Sequence, residues 1–522
     1  MFLSPSRSGG KSMLVGLCLA VSASFTTPQL AFAQQTITWG KPSEVLSTDP
    51  HRSGSATSWT VYFMVYEQLV NTDDNMKAIP GVAESWEQTS PTSYTFHLRP
   101  SFFSNGRPLT SADVVGSIKR VVDPKFGASS GKLLSVVKDV TAVDDHTVAI
   151  ELNSPLTPLI QLLSASTLSI MPIKEMEDGT FDPSKEMLGS GPFMVKEHLQ
   201  DESWTLQRNP HYWRAGYPKA DEIVVRIMPD DATRIAALKE GRVDIATFEN
   251  PDTPRLLDSI PNVNLFIQKT PNYFRLDVNG RQPTSIFSDD RLRTALSYAT
   301  DRQRIVDVVF GGDSSIEYPV PAAFNPPAGC TDHPSYTLSR EERMAKAKAL
   351  VEEADAVGKK VSIIASPVLS TYPLIAQVLE QDLKEIGFDV QIEQLPVAEW
   401  YKRVFVEKPE FDIAIAWFAG FTEPSIILSD WEPGLFPYFE GYVKPVDEYK
   451  VLAQEVRALP AGQDRDAKLS RACEIISDAA NMYPLVNKPD YIGYRADQID
   501  ARFSETEGNF DTLKYIEEFV RK

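Results

Sequence analysis

The second half of the chain alternates between two patterns of apolar residues. Apolar residues spaced three and four apart predict helices over residues 291–299, 302–310, 340–356, 373–386 and 397–405. Short apolar runs bounded by glycine or polar residues predict strands at 361–365, 388–394 and 411–417. This order of strand, helix, strand, helix and strand is typical of a parallel-type sheet covered by helices, so we expect an α/β fold.

The first half is richer in predicted hairpins. Alternating runs predict strands at 35–39, 84–88, 94–99, 147–152, 204–208 and 223–228, with a hairpin over 138–152. Residues 61–70 fit either a helix or a strand. Thr110 or Ser111 can cap a following helix. A further helix over 232–239 is expected to stop at Gly241.

The first 33 residues have the pattern of a cleaved export signal. Arg7 and Lys11 form a basic start, which an apolar run over 13–23 follows. Ala31 and Ala33 fit the small-residue rule for cleavage after Ala33. The apolar run is well short of the roughly 20 residues that span a bilayer, which disfavours a membrane anchor. We therefore expect the mature protein in the periplasm of a Gram-negative cell.

Cysteine usage leaves two alternatives open. Cys18 lies within the export signal, where lipidation is an alternative to simple cleavage, but Leu17 is larger than the residue that normally precedes a lipidated cysteine. Cys330 and Cys473 remain in the mature chain, where an oxidising compartment permits a disulfide. A chain of this size folds without such a link, so the sequence does not decide whether they pair.

Length and net charge limit the classes of protein to which this chain can belong. A mature chain of about 490 residues is too long for one core, so we expect at least two domains. The formal net charge is -19, and removal of the two cations of the signal takes it to -21. Such an acidic chain repels phosphate backbones, so we expect no nucleic-acid partner.

The sequence has no motif typical of a catalytic or metal centre. Its six histidines are scattered without HExxH or CxxC spacing, so we expect no metal and no cofactor. It also lacks Gly-x-Ser-x-Gly, and Ser190 lies in a Gly-Ser-Gly turn. The acidic pairs are interpreted as turn or helix-start residues that carry no chemistry: Asp73-Asp74, Asp230-Asp231 and Asp289-Asp290. We therefore expect no catalytic residues.

The stretch from Pro80 to Arg120 carries a family resemblance. Residues 83–86 (Ala-Glu-Ser-Trp), 94–99 (Tyr-Thr-Phe-His-Leu-Arg) and 109–117 match in order the motifs of one family. That pattern resembles bacterial extracellular solute-binding protein family 5, the periplasmic binding proteins of peptide-type (dipeptide, oligopeptide and nickel) ABC importers. Segments similar to further motifs of this family follow in its order, at 189–193, 208–213, 237–244 and 291–302.

The resemblance implies a two-lobed clamp that closes over its solute, with an extra small domain. Lobe I would comprise residues 34–66, 189–271 and 489–522, extra domain II residues 67–188, and lobe III residues 272–488. A cleft between the lobes of such a protein buries most of a small ligand. The partners implied are a peptide or small-molecule ligand and an inner-membrane ABC permease, and we expect a monomer.

The resemblance also implies three groups of ligand-binding residues. These are Ser53, Gly54, Ser55 and Thr57 before the first helix, Tyr273, Phe274 and Asn279 after the connection between the lobes, and Trp417, Gly420, Phe421 and Glu423 at a strand end. For the first group an ordinary polar loop is an equal alternative, and for the aromatic pair a place in the core is the alternative.

One position departs from the family pattern. Where the family has an aspartate that pairs with the free α-amino group of a bound peptide, this chain has Gly420. Loss of one partner of a buried ion pair costs roughly 3 to 5 kcal/mol. Either Glu423 replaces the aspartate, or the ligand lacks the amine and meets an aromatic wall that includes Trp417 and Phe421.

The function expected from the sequence is therefore that of the periplasmic substrate-binding component of an ABC importer that captures peptides. The alternative is the same role for a non-peptide solute, such as a sugar, a sugar phosphate or an opine-like conjugate. A secreted hydrolase is a remote alternative, because no nucleophile with a recognisable base is present.

Overall fold

Hydrogen-bonded strands form three larger sheets in the computed structural model, which describes residues 35–128, 130–418, 423–432, 435, 439–506, 508 and 511–522. The strands are β1 (Thr36–Lys41), β2 (Val70–Thr72), β3 (Ala78–Pro80), β4 (Ala83–Ser90), β5 (Ser93–Leu98), β6 (Ser101–Phe102), β7 (Pro108–Leu109), β8 (Val137–Asp144), β9 (Thr147–Leu152), β10 (Phe193–Leu199), β11 (Ser203–Arg208), β12 (Glu222–Ile227), β13 (Ile245–Phe248), β14 (Val263–Gln268), β15 (Tyr273–Val278), β16 (Lys360–Ala365), β17 (Asp389–Gln394), β18 (Ile413–Phe418), β19 (Met482–Asn487), β20 (Asp490–Arg495), β21 (Ile499–Asp500) and β22 (Val520–Arg521).

Helices cover these sheets and connect their strands. They are α1 (Ala56–Val65), α2 (Ser111–Val122), α3 (Leu159–Leu162), α4 (Ile173–Glu177), α5 (Asp231–Glu240), α6 (Thr253–Leu257), α7 (Asp290–Ala299), α8 (Arg302–Phe310), α9 (Ala328–Thr331), α10 (Pro334–Thr337), α11 (Arg340–Glu353), α12 (Thr371–Glu385), α13 (Val397–Val404), α14 (Pro424–Ile427), α15 (Asp447–Ala458) and α16 (Gln463–Ala479). No helix in the described ranges combines the length and the apolar character needed to cross a membrane. The predicted export signal lies outside the described residues.

The seven-stranded sheet has the order β10-β11-β12-β1-β13-β20-β14. Strand β1 runs parallel to both β12 and β13, so the three strands end at one edge of the sheet. Strands β14 and β20 pair antiparallel, with Gln268 opposite Asp490, and this pair of residues lies at the same edge. We call this edge the crossover edge, because both connections to the five-stranded sheet leave from it.

The five-stranded sheet has the order β17-β16-β18-β15-β19. Strands β16, β17 and β18 are parallel, which confirms the prediction for the helix-linked strands. The sheet is mixed, however, because β15 runs antiparallel to β18 and β19. Strand β15 enters from the other sheet and therefore begins at the edge where β18 and β19 end. That edge is the crossover edge of this second sheet.

Two connections join the sheets and are hydrogen-bonded to each other. Residues 269–272 link β14 to β15, and residues 488–489 link β19 to β20. The Thr270 hydroxyl donates to the Lys488 carbonyl at 2.7 Å, and the Asn487 amide donates to the Thr270 carbonyl at 2.6 Å. Paired connections of this kind are the usual pivot of a hinged two-lobed protein.

The four-stranded sheet β4-β5-β9-β8 is antiparallel, and its buried face forms an apolar cluster with α2 and the segments up to Ile170. The predicted hairpin is present as β8 and β9. Helix α2 starts as predicted at a capping box, in which Thr110 and Asp113 satisfy each other's backbone N–H groups. Arg107 holds the Asp113 carboxylate in turn at 2.8 Å.

The helices and strands predicted in the remaining segments are present, and their ends differ from the predicted ends by a few residues. Residues 61–70, which fitted a helix or a strand, end α1 at Val65 and begin β2 at Val70. Helix α5 stops at Gly241, whose φ of 71° is the left-handed conformation that glycine adopts easily. Asp230 and Asp289 cap α5 and α7, which confirms their interpretation as helix-start residues.

The sequence left the pairing of two cysteines undecided, and the structure resolves it. Cys330 in α9 and Cys473 in α16 form a disulfide, with their Cα atoms 4.7 Å apart. Both residues are fully buried in an apolar cluster of the five-stranded sheet. The link therefore holds a short helix to the longest helix of this region.

Candidate ligand-binding cleft

The crossover edges of the seven-stranded and five-stranded sheets are joined by the same two connections, and the space between them is the candidate cleft. Lys41, Ile227 and Phe248 end the three parallel strands on one side. Ala365 and Phe418 end parallel strands on the other side. Residues that follow the carboxyl ends of parallel strands commonly bind ligands, because loops rather than helices cover that edge.

Charged side chains cluster at the first wall of this cleft. Lys488 in the second connection donates from Nζ to Oε1 of Glu249 at 2.7 Å and to Oδ1 of Asp490 at 3.0 Å. The Glu249 side chain follows β13 directly and stays 47% exposed, whereas that of Lys488 is 6% exposed. Glu249 therefore combines a fixed position with an accessible carboxylate.

Burial and pairing set the charge of this cluster. Burial opposes the charge of Lys488, but Asp490 and Glu249 outweigh it and raise the pKa of the lysine. Burial also acts to raise the pKa of Glu249, but the Lys488 ammonium outweighs it and holds that pKa below its usual value. Burial lowers the pKa of Lys41 to about 8, although Glu44 and Glu249 oppose the shift. The wall thus presents a charged carboxylate at neutral pH.

Trp417 lies at the second wall, one residue before the end of β18. Its half-buried ring packs against the apolar core of the five-stranded sheet. The Nζ atom of Lys488 lies 5.5 Å from the centroid of this ring, so the cation and the indole meet across the connection. Trp417, Lys488 and Glu249 are therefore brought together at one place in the cleft.

The Ser53–Thr57 segment continues the loop that leaves β1 at the crossover edge. Ser53 is buried, whereas Gly54 is exposed, with open space where a Cβ would stand. The Ser55 and Thr57 hydroxyls are hydrogen-bonded at 2.9 Å, and the Thr57 hydroxyl donates to the Glu44 carbonyl at 3.3 Å. The segment is thus tied to the loop that follows Lys41.

The second group of predicted residues is divided between the core and the far end of a strand. Tyr273 and Phe274 are both buried, in apolar clusters on opposite faces of the five-stranded sheet. Asn279 follows the other end of β15, about 20 Å along the strand, where its amide donates to the Phe411 carbonyl at 2.9 Å. The structure does not bring Asn279 together with Trp417.

The third group lies partly outside the described residues, which include neither Gly420 nor Phe421. Glu423 is described, and its buried carboxylate caps α14 by accepting from the Ser425 backbone N–H at 2.7 Å. The same carboxylate forms an ion pair with Arg465. Its charge is therefore balanced within the protein.

Reasoning from the sequence missed Lys41, Glu249, Lys488 and Asp490. A signal was available for Glu249, because it directly follows a short apolar run over residues 245–248 that fits a strand. None was available for Lys488, because the pairing of β19 with β15 was not predicted. Its contact with Glu249 spans 239 positions of the chain.

Comparisons with known proteins agree with this architecture. The model for "Bacterial extracellular solute-binding proteins, family 5 Middle" matches residues 77–433. The periplasmic oligopeptide-binding protein OppA of Escherichia coli K12 is 27% identical over 76% of this chain and 77% of its own length. The probable D,D-dipeptide-binding periplasmic protein DdpA of the same strain is 25% identical over 90% and 91%, respectively.

Solved structures show the fold. The binding protein AgaA of A. tumefaciens R10, solved with agropinic acid, superimposes with a TM-score of 0.79 at 24% identity and covers 93% of this chain and 99% of its own. AgaA and two other solved binding proteins with two lobes match this chain over nearly its whole length, and this confirms the expected α/β clamp architecture. The family model spans well over half of the sequence and confirms the resemblance drawn from its motifs. The chain belongs to the bacterial extracellular solute-binding proteins, family 5.

Proposed function

We propose that this protein is the periplasmic substrate-binding component of an ABC importer and that it captures peptides. Family membership and the peptide-binding names of its relatives support the role. The observation that carries the ligand class is the accessible Glu249 carboxylate at the crossover edge, held by Lys488 beside Trp417. The family is one of binding proteins, and we propose no enzymatic activity.

In this proposal Glu249 accepts the free α-amino group of the peptide. The half-exposed Glu249 side chain can be reached from the cleft, and charge-assisted hydrogen bonds are stronger than neutral ones. Lys488 acts as a positioning residue that keeps Glu249 charged. Trp417 supplies an apolar face for a neighbouring side chain or the peptide backbone.

Closure would bring the two crossover edges onto the ligand. The proposed lobes keep the boundaries expected from the sequence: 34–66, 189–271 and 489–522 for lobe I, and 272–488 for lobe III. The segment 67–188 is proposed as the extra domain. The closed form would then present both lobes to an inner-membrane ABC permease, with the binding protein acting as a monomer.

Calorimetry with matched ligands tests this role of Glu249. We expect di- to pentapeptides to bind the mature protein, and Glu249→Gln to weaken free-amine peptides at least about tenfold while leaving N-acetylated peptides unaffected. Glu240→Gln, an exposed carboxylate at the end of α5, serves as the charge-matched control. Equal weakening of free and acetylated peptides would contradict the assignment of the amine to Glu249.

A non-peptide solute is the second candidate. The observation that favours it is the commitment of Glu423 to Arg465 and Ser425, which removes the nearest substitute for the aspartate that Gly420 replaces. The same calorimetry against sugars, sugar phosphates and opines distinguishes the two. Binding of one of these, with no heat from any peptide, would support the second candidate and overturn the first.

A further inference from the structure

A cavity of about 380 Å³ lies at the edge of the seven-stranded sheet opposite the crossover edge. Its walls come from the end of α1, the segment that follows β11, and the C-terminal segment. The Gly191 backbone N–H donates to the Val65 carbonyl at 2.9 Å, which fixes the end of α1 beside the start of β10. Six residues of β12 separate this edge from the crossover edge, so the cavity lies about 20 Å from the cleft.

Glu67 is the unusual residue of this cavity. It is only 5% exposed and lines the cavity, yet its Oε2 atom has no hydrogen-bond partner among the described residues. The indole N–H of Trp213, another lining residue, also lacks a partner there. Buried polar atoms are normally hydrogen-bonded, because an unpaired one loses its hydration without compensation. Tyr212 and Trp213 face this carboxyl group, and its Oε2 atom can still accept a hydrogen bond from a group that enters the cavity.

The cations of the cavity wall are already committed to other carboxylates. Arg214 pairs with Glu517 at 3.2 Å and Glu518 at 3.0 Å, Arg502 with Asp74 at 2.9 Å, and Lys514 with Asp511 at 3.4 Å. Arg99 stacks on the Trp213 ring at 3.7 Å, and within the described ranges it has no carboxylate within 4.0 Å. No cation of the described residues lies within ion-pair distance of Glu67.

Aromatic rings make up much of the remaining wall. The lining rings are Phe63, Tyr66, Tyr212, Trp213 and Tyr515. The faces of such rings carry negative electrostatic potential and attract organic cations, most strongly where water is excluded. A buried carboxylate that has no cation within ion-pair distance among the described residues, and that lies among aromatic rings, complements an ammonium group that bears apolar substituents. An anion in the cavity would be repelled by the Glu67 carboxylate, because no cation of the described residues lies within ion-pair distance of it.

We propose that this cavity, the Glu67 cavity, is a second ligand site that binds a small organic ammonium ion. The ammonium donates to the Glu67 carboxylate, and its alkyl part packs against Trp213 and Tyr212. The volume is within the range of small-molecule sites in proteins. The site is separate from the interlobe cleft and does not depend on the solute bound there.

Binding to the Glu67 cavity is expected to strengthen as the pH rises. Burial raises the pKa of Glu67 to about 7, and the neighbouring Glu517 carboxylate adds to this shift. Tyr212, Trp213 and Arg99 face the same carboxyl and act in the opposite direction. Burial also raises the pKa of Glu517 to about 7, against the pull of Arg214. Only the charged carboxylate pairs with ammonium, so the affinity should fall about tenfold from about pH 8 to about pH 6.

The test is a titration of the mature protein with n-butylammonium chloride, followed by the indole N–H resonances in NMR spectra. We expect a saturable shift of the Trp213 indole resonance, assigned with Trp213→Phe. The indole N–H of Trp400 is also buried and unpartnered among the described residues, and it is the internal control that should not move. n-Butanol tests the need for charge, and potassium chloride tests the need for the organic part.

Variants separate the cavity from the cleft. Glu67→Gln should reduce n-butylammonium affinity at least about tenfold and weaken its pH dependence, of which only the part due to Glu517 should remain. Glu87→Gln, an exposed carboxylate in β4, carries the same charge change and should have no effect. The proposal is overturned if butanol or potassium chloride shifts Trp213 equally, if Trp213 and Trp400 move together, or if no saturable shift occurs. Loss of the shift in Glu249→Gln rather than Glu67→Gln would place the amine in the cleft and overturn it as well.

Discussion

At the scale of single residues, three side chains from distant parts of the chain meet in the cleft: Trp417, Glu249 and Lys488. Trp417 was expected at a strand end because a family motif includes it, and the structure places it at the crossover edge. Lys488 carries no local signal that separates it from the other charged residues of an acidic chain, and the only signal for Glu249 is its place directly after a short apolar run. Their roles arise from a contact between distant strands, and a single sequence cannot display such a contact.

The substitution Gly420→Asp tests the residue at which this chain departs from its family. Gly420 lies outside the described residues, so the expectation rests on the sequence motif alone. An aspartate there should strengthen the binding of free-amine peptides, because it supplies a second anion for the ammonium group. Calorimetry with free and N-acetylated peptides measures the effect. An unchanged preference between the two would place Gly420 away from the amine.

The Glu423–Arg465 pair is expected to be structural. Both side chains are nearly buried, so Arg465→Met leaves an uncompensated carboxylate and should lower the free energy of unfolding by roughly 3 to 5 kcal/mol. Arg242→Met removes an arginine from the exposed Arg242–Glu240 pair and should cost less than about 1 kcal/mol. Urea denaturation of both variants measures the difference. Equal, small losses would show that Glu423 is free to serve a ligand.

At the scale of elements, the hydrophobic pattern predicted the helix-linked strands of the five-stranded sheet, and the two strands that it missed there have a topological cause. The period-two and helical patterns predicted β16 to β18 and the helices α7, α8, α11, α12 and α13 closely, because these elements bury one face against a local neighbour. The antiparallel placement of β15 and β19 was not predictable in this way. It depends on the two connections between the sheets, and the pattern of apolar residues along a strand does not depend on the direction in which the strand runs.

The disulfide between α9 and α16 is the element-scale feature with the clearest energetic consequence. It closes a segment of 143 residues, and such links typically contribute about 2 to 4 kcal/mol. The double variant Cys330→Ala with Cys473→Ala should therefore unfold at lower temperature than the wild type. Differential scanning calorimetry with and without reductant gives the comparison. A reductant effect that persists in the double variant would show that another process is responsible.

At the scale of the whole molecule, the resemblance predicted the architecture better than composition did. Length predicted at least two domains and charge argued against a nucleic-acid partner, but neither distinguishes a clamp from other α/β arrangements. The ordered motifs between Ala83 and Arg302 supplied that distinction, and the family model covers the whole of that span. The ligand was less predictable, because recognition depends on a few side chains that chain topology brings together.

Closure around a captured solute is the central claim, and a distance measurement across the cleft tests it most directly. Leu46 and Val368 lie on loops that leave the two crossover edges and are 74% and 59% exposed, so Leu46→Cys with Val368→Cys provides label sites. Cys330 and Cys473, the cysteines within the described ranges, are paired with each other. We predict that the distance between spin labels shortens when a saturating peptide is added. An unchanged distance with a peptide that calorimetry shows to be bound would contradict the account.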